Sequence, residues 1–415
     1  MKRAVTAATA LSVCLSTTAF AQDAETPTAT TSPAGPTVGY YDDGGNWIPP
    51  SRGRAPNTDH CPQATWPPEP VSTSERAADS PAPLPVRYDG PCGVTAADGY
   101  SVPDGVVASS WLVADLDTGE VVAMKDPHGR YRPASIIKVL LALTVINELP
   151  LDQKVLVSAE SAGQEGSAAG IGEGGDYTVE DLLTGLLLAS GNDCAHALAQ
   201  ALGGDALTLG KVNALAQQLG MQDTRATSYS GLDSTGMSTS AWDMGLAYTA
   251  AFADPTFTRI VNTEHYLFPG FGDLPPFELW NDNLLYLNDP DGIGGKTGYT
   301  DDANHTFVGA VNHDGRRLVA IILDTAAYDH RAWEQAQMLL HEAYGVRSGV
   351  DTLQPLEEEP TPATTQAAPT PAPEAGEETA WNRWMPYAIV AGVLALAALA
   401  TALSLATATR PRRRR

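Results

Sequence analysis

The sequence predicts an α+β fold: an antiparallel sheet backed and faced by helices, with its strands drawn from both ends of one domain. Three observations carry that prediction. "SSWLVADLDTGEVVAMKD" holds two alternating apolar stretches joined at Asp117, Thr118 and Gly119, a hairpin signal. "KTGYT", "HTFVGAVN" and "RRLVAIILD", far along the chain, read as three more strands, the last two joined by the turn at Asp314 and Gly315. Between these groups the apolar residues recur with helical spacing.

In chain order, residues 1–21 carry Lys2 and Arg3, an apolar stretch at 7–13 and the ending Ala19, Phe20, Ala21, which together predict a secretory signal peptide. Residues 22–93 are dense in Pro, Thr, Ser, Gly and Ala with few aliphatic anchors, and read as an extended or loosely ordered lead. Within it, "NTDHC" to "YDGPC" reads as a small lobe stapled by Cys61 and Cys92. Those cysteines flank one polar segment of an exported chain and are the expected disulfide, which leaves Cys194 as a small buried thiol.

The globular domain is placed at 94–350. Its first hairpin is followed by "RPASIIKVLL", where Pro133 presets the helical φ and apolar residues continue the helix. Further helical patterns run over 179–202, interrupted at Ser190, Gly191 and Asn192, then over 206–219 and 330–344. Residues 351–384 repeat Pro, Ala, Thr and Glu and read as a stalk. Residues 385–409 are nearly all apolar, long enough as a helix to cross about 30 Å of hydrocarbon. Trp381 and Trp384 precede that stretch, and the arginines of 410–415 follow as a basic tail. By the positive-inside rule the expected location is the cell membrane, single-pass, with the globular domain outside and the C-terminus in the cytoplasm.

A formal charge of −24 opposes nucleic acid and anionic membrane surfaces as partners. The eight histidines are scattered, with no HxH or HExxH grouping, so neither a metal nor another cofactor is expected.

The chemistry centres on Ser135 and Lys138. They stand one helical turn apart on the same side, and a lysine set among Ile137, Val139 and Leu141 loses hydration, which favours the neutral amine and lets it act as a base toward the hydroxyl. A cap serine beside a snorkelling lysine would explain an isolated SxxK equally well. Two further segments argue otherwise. "LLLASGNDC" puts Ser190 and Asn192 at a break between apolar helical runs, where short polar side chains can face a cleft, and "GIGGKTGYT" puts Lys296, Thr297 and Gly298 at the start of a strand.

SxxK, S-x-N and KTG in this order and spacing resemble the serine penicillin-interacting enzymes. More narrowly, "PASIIK", "ASGND", "DGIGGKTGYT" and "SYSGLDSTGMSTSAWDMG" resemble the low-molecular-mass D-alanyl-D-alanine carboxypeptidases over about 104–345. The resemblance implies the serine β-lactamase/DD-peptidase-like transpeptidase fold with an all-helical subdomain. It implies Ser135 as nucleophile, Lys138 as its base and Ser190 as the proton shuttle to the leaving amine. Asn192 would hold the substrate backbone, and Lys296, Thr297 and Gly298 the terminal carboxylate side. The backbone N–H groups of Ser135 and Tyr299 are the implied oxyanion hole. The implied partners are peptidoglycan stem peptides ending in D-Ala-D-Ala, β-lactams as covalent inhibitors, and the cell membrane.

Two residues depart from the family pattern. Cys194 stands where alanine is more usual and reads as packing, and Gly295 replaces a bulkier residue, which is expected to loosen the start of its strand. A β-lactamase would share the fold and motifs but needs a glutamate to activate the deacylating water, and none occurs between Glu180 and Glu264. A catalytically inactive, membrane-anchored wall-binding protein is the alternative from another class, opposed by the survival of both serine and lysine. The balance between carboxypeptidase, endopeptidase and transpeptidase action stays open at this level.

Overall fold

The computed structural model describes residues 39–41, 44, 47–48, 50–72 and 80–355. The chain divides into two units, Met1–Leu356 and Glu357–Arg415, and every described residue lies in the first. Its centre is an antiparallel sheet of β1 (Val94–Ala96), β2 (Ser110–Asp115), β3 (Glu120–Lys125), β4 (Gly292–Thr300), β5 (Asn304–His313), β6 (Arg316–Thr325) and β7 (Asp351–Thr352). The strands lie in the order β4-β5-β6-β2-β3-β7, with β1 also pairing with β3.

Two turns set the hairpin registers. Asp115 Oδ1 accepts the backbone N–H groups of Asp117 and Thr118 at 2.9 and 3.0 Å, fixing the β2–β3 turn, and Gly119 supplies its positive φ of 75°. In the β5–β6 turn Asp314 and Gly315 both adopt left-handed backbone, φ 52° and 86°, the geometry that matches the twist of the flanking strands. These turns leave β6 beside β2, so late and early strands share one sheet. Alternation then divides the apolar residues: Leu112, Ala114, Val319 and Ile321 face one core, Trp111, Val113, Ala320 and Ile322 the other.

Helices α1 (Lys138–Glu148), α2 (Val179–Leu188), α3 (Asn192–Ala201), α4 (Asp205–Gln218), α5 (Ala241–Ala253) and α6 (Pro255–Val261) lie between β3 and β4 in sequence and form the helical subdomain. On the sheet's other face, α7 (Ala332–Ala343) buries Ala336, Leu339 and Leu340. Residues 138–145 of α1 are all buried, so this helix is enclosed rather than amphipathic. The predicted break in the second helical run is present: α2 ends at Leu188, α3 starts at Asn192, and Ser190 between them has φ 59°. The α+β architecture is therefore the one the strand and helix patterns predict.

The described residues of the N-terminal segment, 50–72 and 80–93 above all, run as a strap along the domain. Proline-rich chain has more carbonyl acceptors than N–H donors, and buried arginines supply the missing donors. Arg130 donates to the carbonyls of Thr65, Leu84 and Pro85 at 2.9, 2.7 and 2.7 Å, and Arg132 to Pro68 O at 2.6 Å. Arg52 pairs with Asp324 at 3.3 Å, and Lys125 donates to Pro56 O at 2.7 Å. A disulfide joins Cys61 to Cys92 with a Cα–Cα distance of 5.2 Å, and Cys194 is a buried free thiol.

One expectation is corrected. No helix among the described residues is long and apolar enough to cross a membrane, against the single-pass membrane location expected from the sequence. The longest, α4, has 14 residues, where about 20 are needed, and the apolar side chains of the helices are spent on the core. The stretch 385–409 that prompted the expectation lies outside the described residues, as do the signal peptide, 1–21, the stalk beyond 355 and the basic tail, 410–415.

Candidate active site

Ser135 sits in a single 3-10 turn, Ala134–Ile137, that runs directly into α1. The turn is pinned on both sides: Thr306 Oγ1 donates to Pro133 O at 2.8 Å and the Tyr248 hydroxyl to Ile136 O at 2.9 Å. Two glycines let neighbouring backbone pass against it. A Cβ on Gly231, whose φ is 87°, would lie 2.0 Å from Ala134 O, and one on Gly298 would lie 2.3 Å from Thr306 Oγ1 and 3.1 Å from Ser135 N. The glycine of KTG is thus a close-approach residue.

Lys138, first residue of α1, is fully buried, and its Nζ lies 2.7 Å from Ser135 Oγ, 2.7 Å from Asn192 Oδ1 and 2.6 Å from Ser230 O. Burial drives this amine well below the ordinary lysine pKa, and the positive charge of Lys296 pushes the same way.

Asn192 opens α3 and is held at several points. Its Nδ2 donates to Glu165 O at 2.6 Å and its backbone N–H to Ser167 O at 2.7 Å. Next to it, the buried Asp193 carboxylate accepts the N–H groups of Ala169, Gly170 and Ile171 at 3.0, 2.8 and 3.1 Å. The start of α3 therefore fixes the loop 165–171 beside the lysine. Ser190 is buried in the break just ahead of Asn192.

Lys296, Thr297 and Gly298 lie on β4, the edge strand of the sheet. Lys296 is buried, with Nζ 3.0 Å from Thr297 O, 3.3 Å from Thr297 Oγ1 and 3.8 Å from Asp282 Oδ2. Burial lowers its pKa, and the Asp282 carboxylate opposes that shift. Thr297 Oγ1 donates to Asp282 at 2.8 Å. A cavity of about 290 Å³ opens beside this strand, lined by Asp282, Thr297, Gly298, His305, Arg331 and Trp333 among others. Tyr299, further along β4, is partly exposed. Gly295, with φ 146°, sits at the bulged start of the strand, where a Cβ would meet Val308 O at 2.0 Å, so this glycine tightens the β4–β5 pairing instead of loosening it.

The structure thus brings together Ser135, Lys138 and Asn192 from a turn and two helix starts, and sets Gly298 of the edge strand, next to Lys296 and Thr297, beside Ser135 N; Ser190 lies buried two residues before Asn192. The structure adds groups that sequence reasoning missed. The Ser230 carbonyl has no side-chain signature. Asp193 stood within the quoted "ASGND" and could have been singled out as an acid following the S-x-N. Asp282 and Arg331 carry no local motif. Among the described residues no cluster of His, Cys, Asp and Glu could hold a metal ion.

The chain is similar to known proteins. The family model of D-alanyl-D-alanine carboxypeptidase matches residues 97–327. The chain is similar to D-alanyl-D-alanine carboxypeptidase DacB2 of Mycobacterium tuberculosis, 43% identical over 232 residues, which is 55% of this chain and 79% of that protein. It is similar also to DacF of Bacillus subtilis, 29% identical over 56% of this chain and 61% of the relative. Among solved structures, a D-alanyl-D-alanine carboxypeptidase from Mycobacterium tuberculosis superposes with a TM-score of 0.59 at 40% identity, covering 62% of this chain and 99% of that one. A variant of the Streptomyces K15 DD-transpeptidase superposes with a TM-score of 0.54 at 25% identity, covering 57% of this chain and 97% of that one.

Proposed function

The chain belongs to the D-alanyl-D-alanine carboxypeptidase family, and from that membership we propose that it is a serine-type D-Ala-D-Ala carboxypeptidase removing the terminal D-alanine from peptidoglycan stem pentapeptides. The observation that carries the proposal is the fully buried Lys138 amine, 2.7 Å from Ser135 Oγ. A desolvated lysine at hydrogen-bond distance from a serine hydroxyl is the arrangement that makes a serine nucleophilic.

Neutral Lys138 takes the Ser135 proton as Oγ attacks the carbonyl carbon of the penultimate D-alanine. Ser190, in the break before α3, relays a proton to the leaving amine as the C–N bond breaks, and water then hydrolyses the ester. The Asn192 amide has two N–H donors; one is used on Glu165 O, which leaves one for the substrate backbone. The N–H groups of Ser135 and Tyr299 face the charge that develops on the carbonyl oxygen. Lys296 and Thr297 bind the free terminal carboxylate, and Arg331, lining the same cavity, adds a second cation. β-Lactams enter by the same attack, but their amine stays attached to the acyl group where D-alanine would depart, so it shields the ester from water, and 181–263 contains no glutamate to activate hydrolysis. The domain limits of 94–350 for the catalytic unit and 22–93 for the preceding segment are part of this reading.

The test uses the purified protein, a peptide ending in D-Ala-D-Ala and a fluorescent penicillin. Wild type releases D-alanine and gives a labelled band that survives denaturation; Ser135→Ala gives neither, and Lys138→Ala loses roughly 10²–10⁴-fold in both. Release of D-alanine by Ser135→Ala at the wild-type rate would refute the serine mechanism. A folded wild type that reacts with neither compound would make the non-enzymatic reading the better account, and rapid release of hydrolysed penicillin would make it a β-lactamase.

A further inference from the structure

On the proposed carboxypeptidase reading, the substrate has a direction along β4. Its free carboxylate lies at Lys296 and Thr297, and its scissile carbonyl lies at Ser135, whose N is the neighbour of Gly298. The residues upstream of D-Ala-D-Ala must then run along the edge strand past Tyr299 toward Asp301 and Asp302. An extended peptide advances about 3.3 Å per residue, so three upstream residues reach about 10 Å, the span from Gly298 to Asp301, whereas a single upstream residue reaches only Tyr299.

The strap segment 68–72 is tied on one side to the approach to the nucleophile and on the other to the end of β4. Arg132 donates to Pro68 O at 2.6 Å, three residues before Ser135. Asp302 Oδ1 accepts the N–H groups of Val71 and Ser72 at 2.5 and 2.7 Å, and Asp302 Oδ2 accepts the Ser72 hydroxyl. The Tyr41 hydroxyl donates to Asp301. Asp233 fixes the same turn, accepting from Thr300 Oγ1 at 2.6 Å and from Asp302 N at 3.4 Å. Residues 68–72 precede the family-matched span of 97–327.

We propose that 68–72, anchored by Asp302 and flanked by Tyr41, is the far wall of the stem-peptide subsite and makes the enzyme prefer a full-length stem peptide over a short acyl-D-Ala-D-Ala. Asp302 acts through the strap and is a positioning residue.

The experiment compares kcat and KM for a stem pentapeptide and for a substrate with one residue before D-Ala-D-Ala, in the full chain, with penicillin acylation as the control for an intact site. Asp302→Ala should lower kcat/KM for the pentapeptide about tenfold, chiefly through KM, while the short substrate and penicillin acylation stay within twofold. Asp302→Asn keeps an Oδ1 acceptor for Val71 and Ser72 and should fall between wild type and alanine. Val71→Pro leaves Asp302 intact, deletes one of the anchoring N–H groups, and should show the same selectivity loss to a smaller degree. Parallel loss on both substrates, or no change on either, overturns the inference. No D-alanine from either substrate with wild type would instead fail the carboxypeptidase reading and take this inference with it.

Discussion

Gly298→Ala tests whether the KTG glycine is there to let the edge strand approach the nucleophile. The added Cβ would lie 2.3 Å from Thr306 Oγ1, 3.1 Å from Ser135 N and 3.2 Å from Ala134 Cβ. The first contact is impossible, so the Thr306 side chain must move, and with it goes the 2.8 Å hydrogen bond to Pro133 O that pins the turn. A lost buried hydrogen bond costs about 1 kcal/mol and overpacking about 1–3 kcal/mol, giving about 2–4 kcal/mol. For a domain of this size that lowers Tm by about 5–12 °C. Displacing Ser135 by a few tenths of an ångström should slow penicillin acylation by about tenfold. A double-mutant cycle sharpens the test. Thr306→Ala removes the colliding oxygen, so on that background Gly298→Ala meets only the 3.1 and 3.2 Å contacts and should cost less than about 1 kcal/mol more. Stopped-flow acylation and thermal melts of the four proteins supply the numbers. Wild-type acylation by Gly298→Ala, or strictly additive effects in the cycle, would refute the close-approach argument.

The remaining expectations concern charge, carboxylate capture and the strap. Lys138 has a lowered pKa, so acylation should rise with pH as it loses its proton; Lys296→Gln, by removing a neighbouring positive charge, should move that acid limb to higher pH, and Asp282→Asn should move it to lower pH. Limbs that stay put in pH-dependent penicillin acylation would disprove the coupling. Arg331→Gln should raise KM for a peptide with a free C-terminus by about tenfold and leave the amidated peptide unaffected, in steady-state assays of D-alanine or D-alaninamide release. Reduction of Cys61–Cys92, which closes a sequence separation of 31, should cost about 3–4 kcal/mol of stability and lower Tm by several degrees; identical melts with and without reductant would show that the strap adds nothing.

Local chemistry made much of this readable in advance. Five of the seven sheet strands and the break at Ser190 are encoded by alternation, turn residues and helical spacing, all of which act over a few neighbours; the short strands Val94–Ala96 and Asp351–Thr352 carry no such pattern. The Ser135–Lys138 pair was legible because a helical turn places the two together whatever the rest of the chain does. Asp282 and Arg331 were not, since only the folded sheet and α7 bring them to Thr297. The strap was missed for a related reason. Its composition resembles that of chain that cannot bury a core, but its order comes from buried arginines elsewhere in the sequence, which take up carbonyls that prolines leave without local partners.

The site holds two buried lysines, and their surroundings differ. Lys296 has a carboxylate, Asp282, at 3.8 Å, which opposes the lowering of its pKa by burial and suits the role proposed for it, pairing with a substrate carboxylate. Lys138 has around it an amide oxygen, a backbone carbonyl and a hydroxyl, at 2.7, 2.6 and 2.7 Å, none of them charged. A neutral amine has two N–H groups and one lone pair. Asn192 Oδ1 and Ser230 O can only accept, so they take the two N–H groups, and the lone pair is left for the one neighbour that can donate, the Ser135 hydroxyl. The same three contacts around an ammonium would turn its third N–H toward Ser135 and hold the serine as an acceptor, with no base to receive its proton. Burial, the largest effect, and the charge on Lys296 favour the first arrangement against the carboxylates of Asp282 and Asp193, so the proposed anchor for the substrate's carboxylate also helps to keep the proposed base deprotonated.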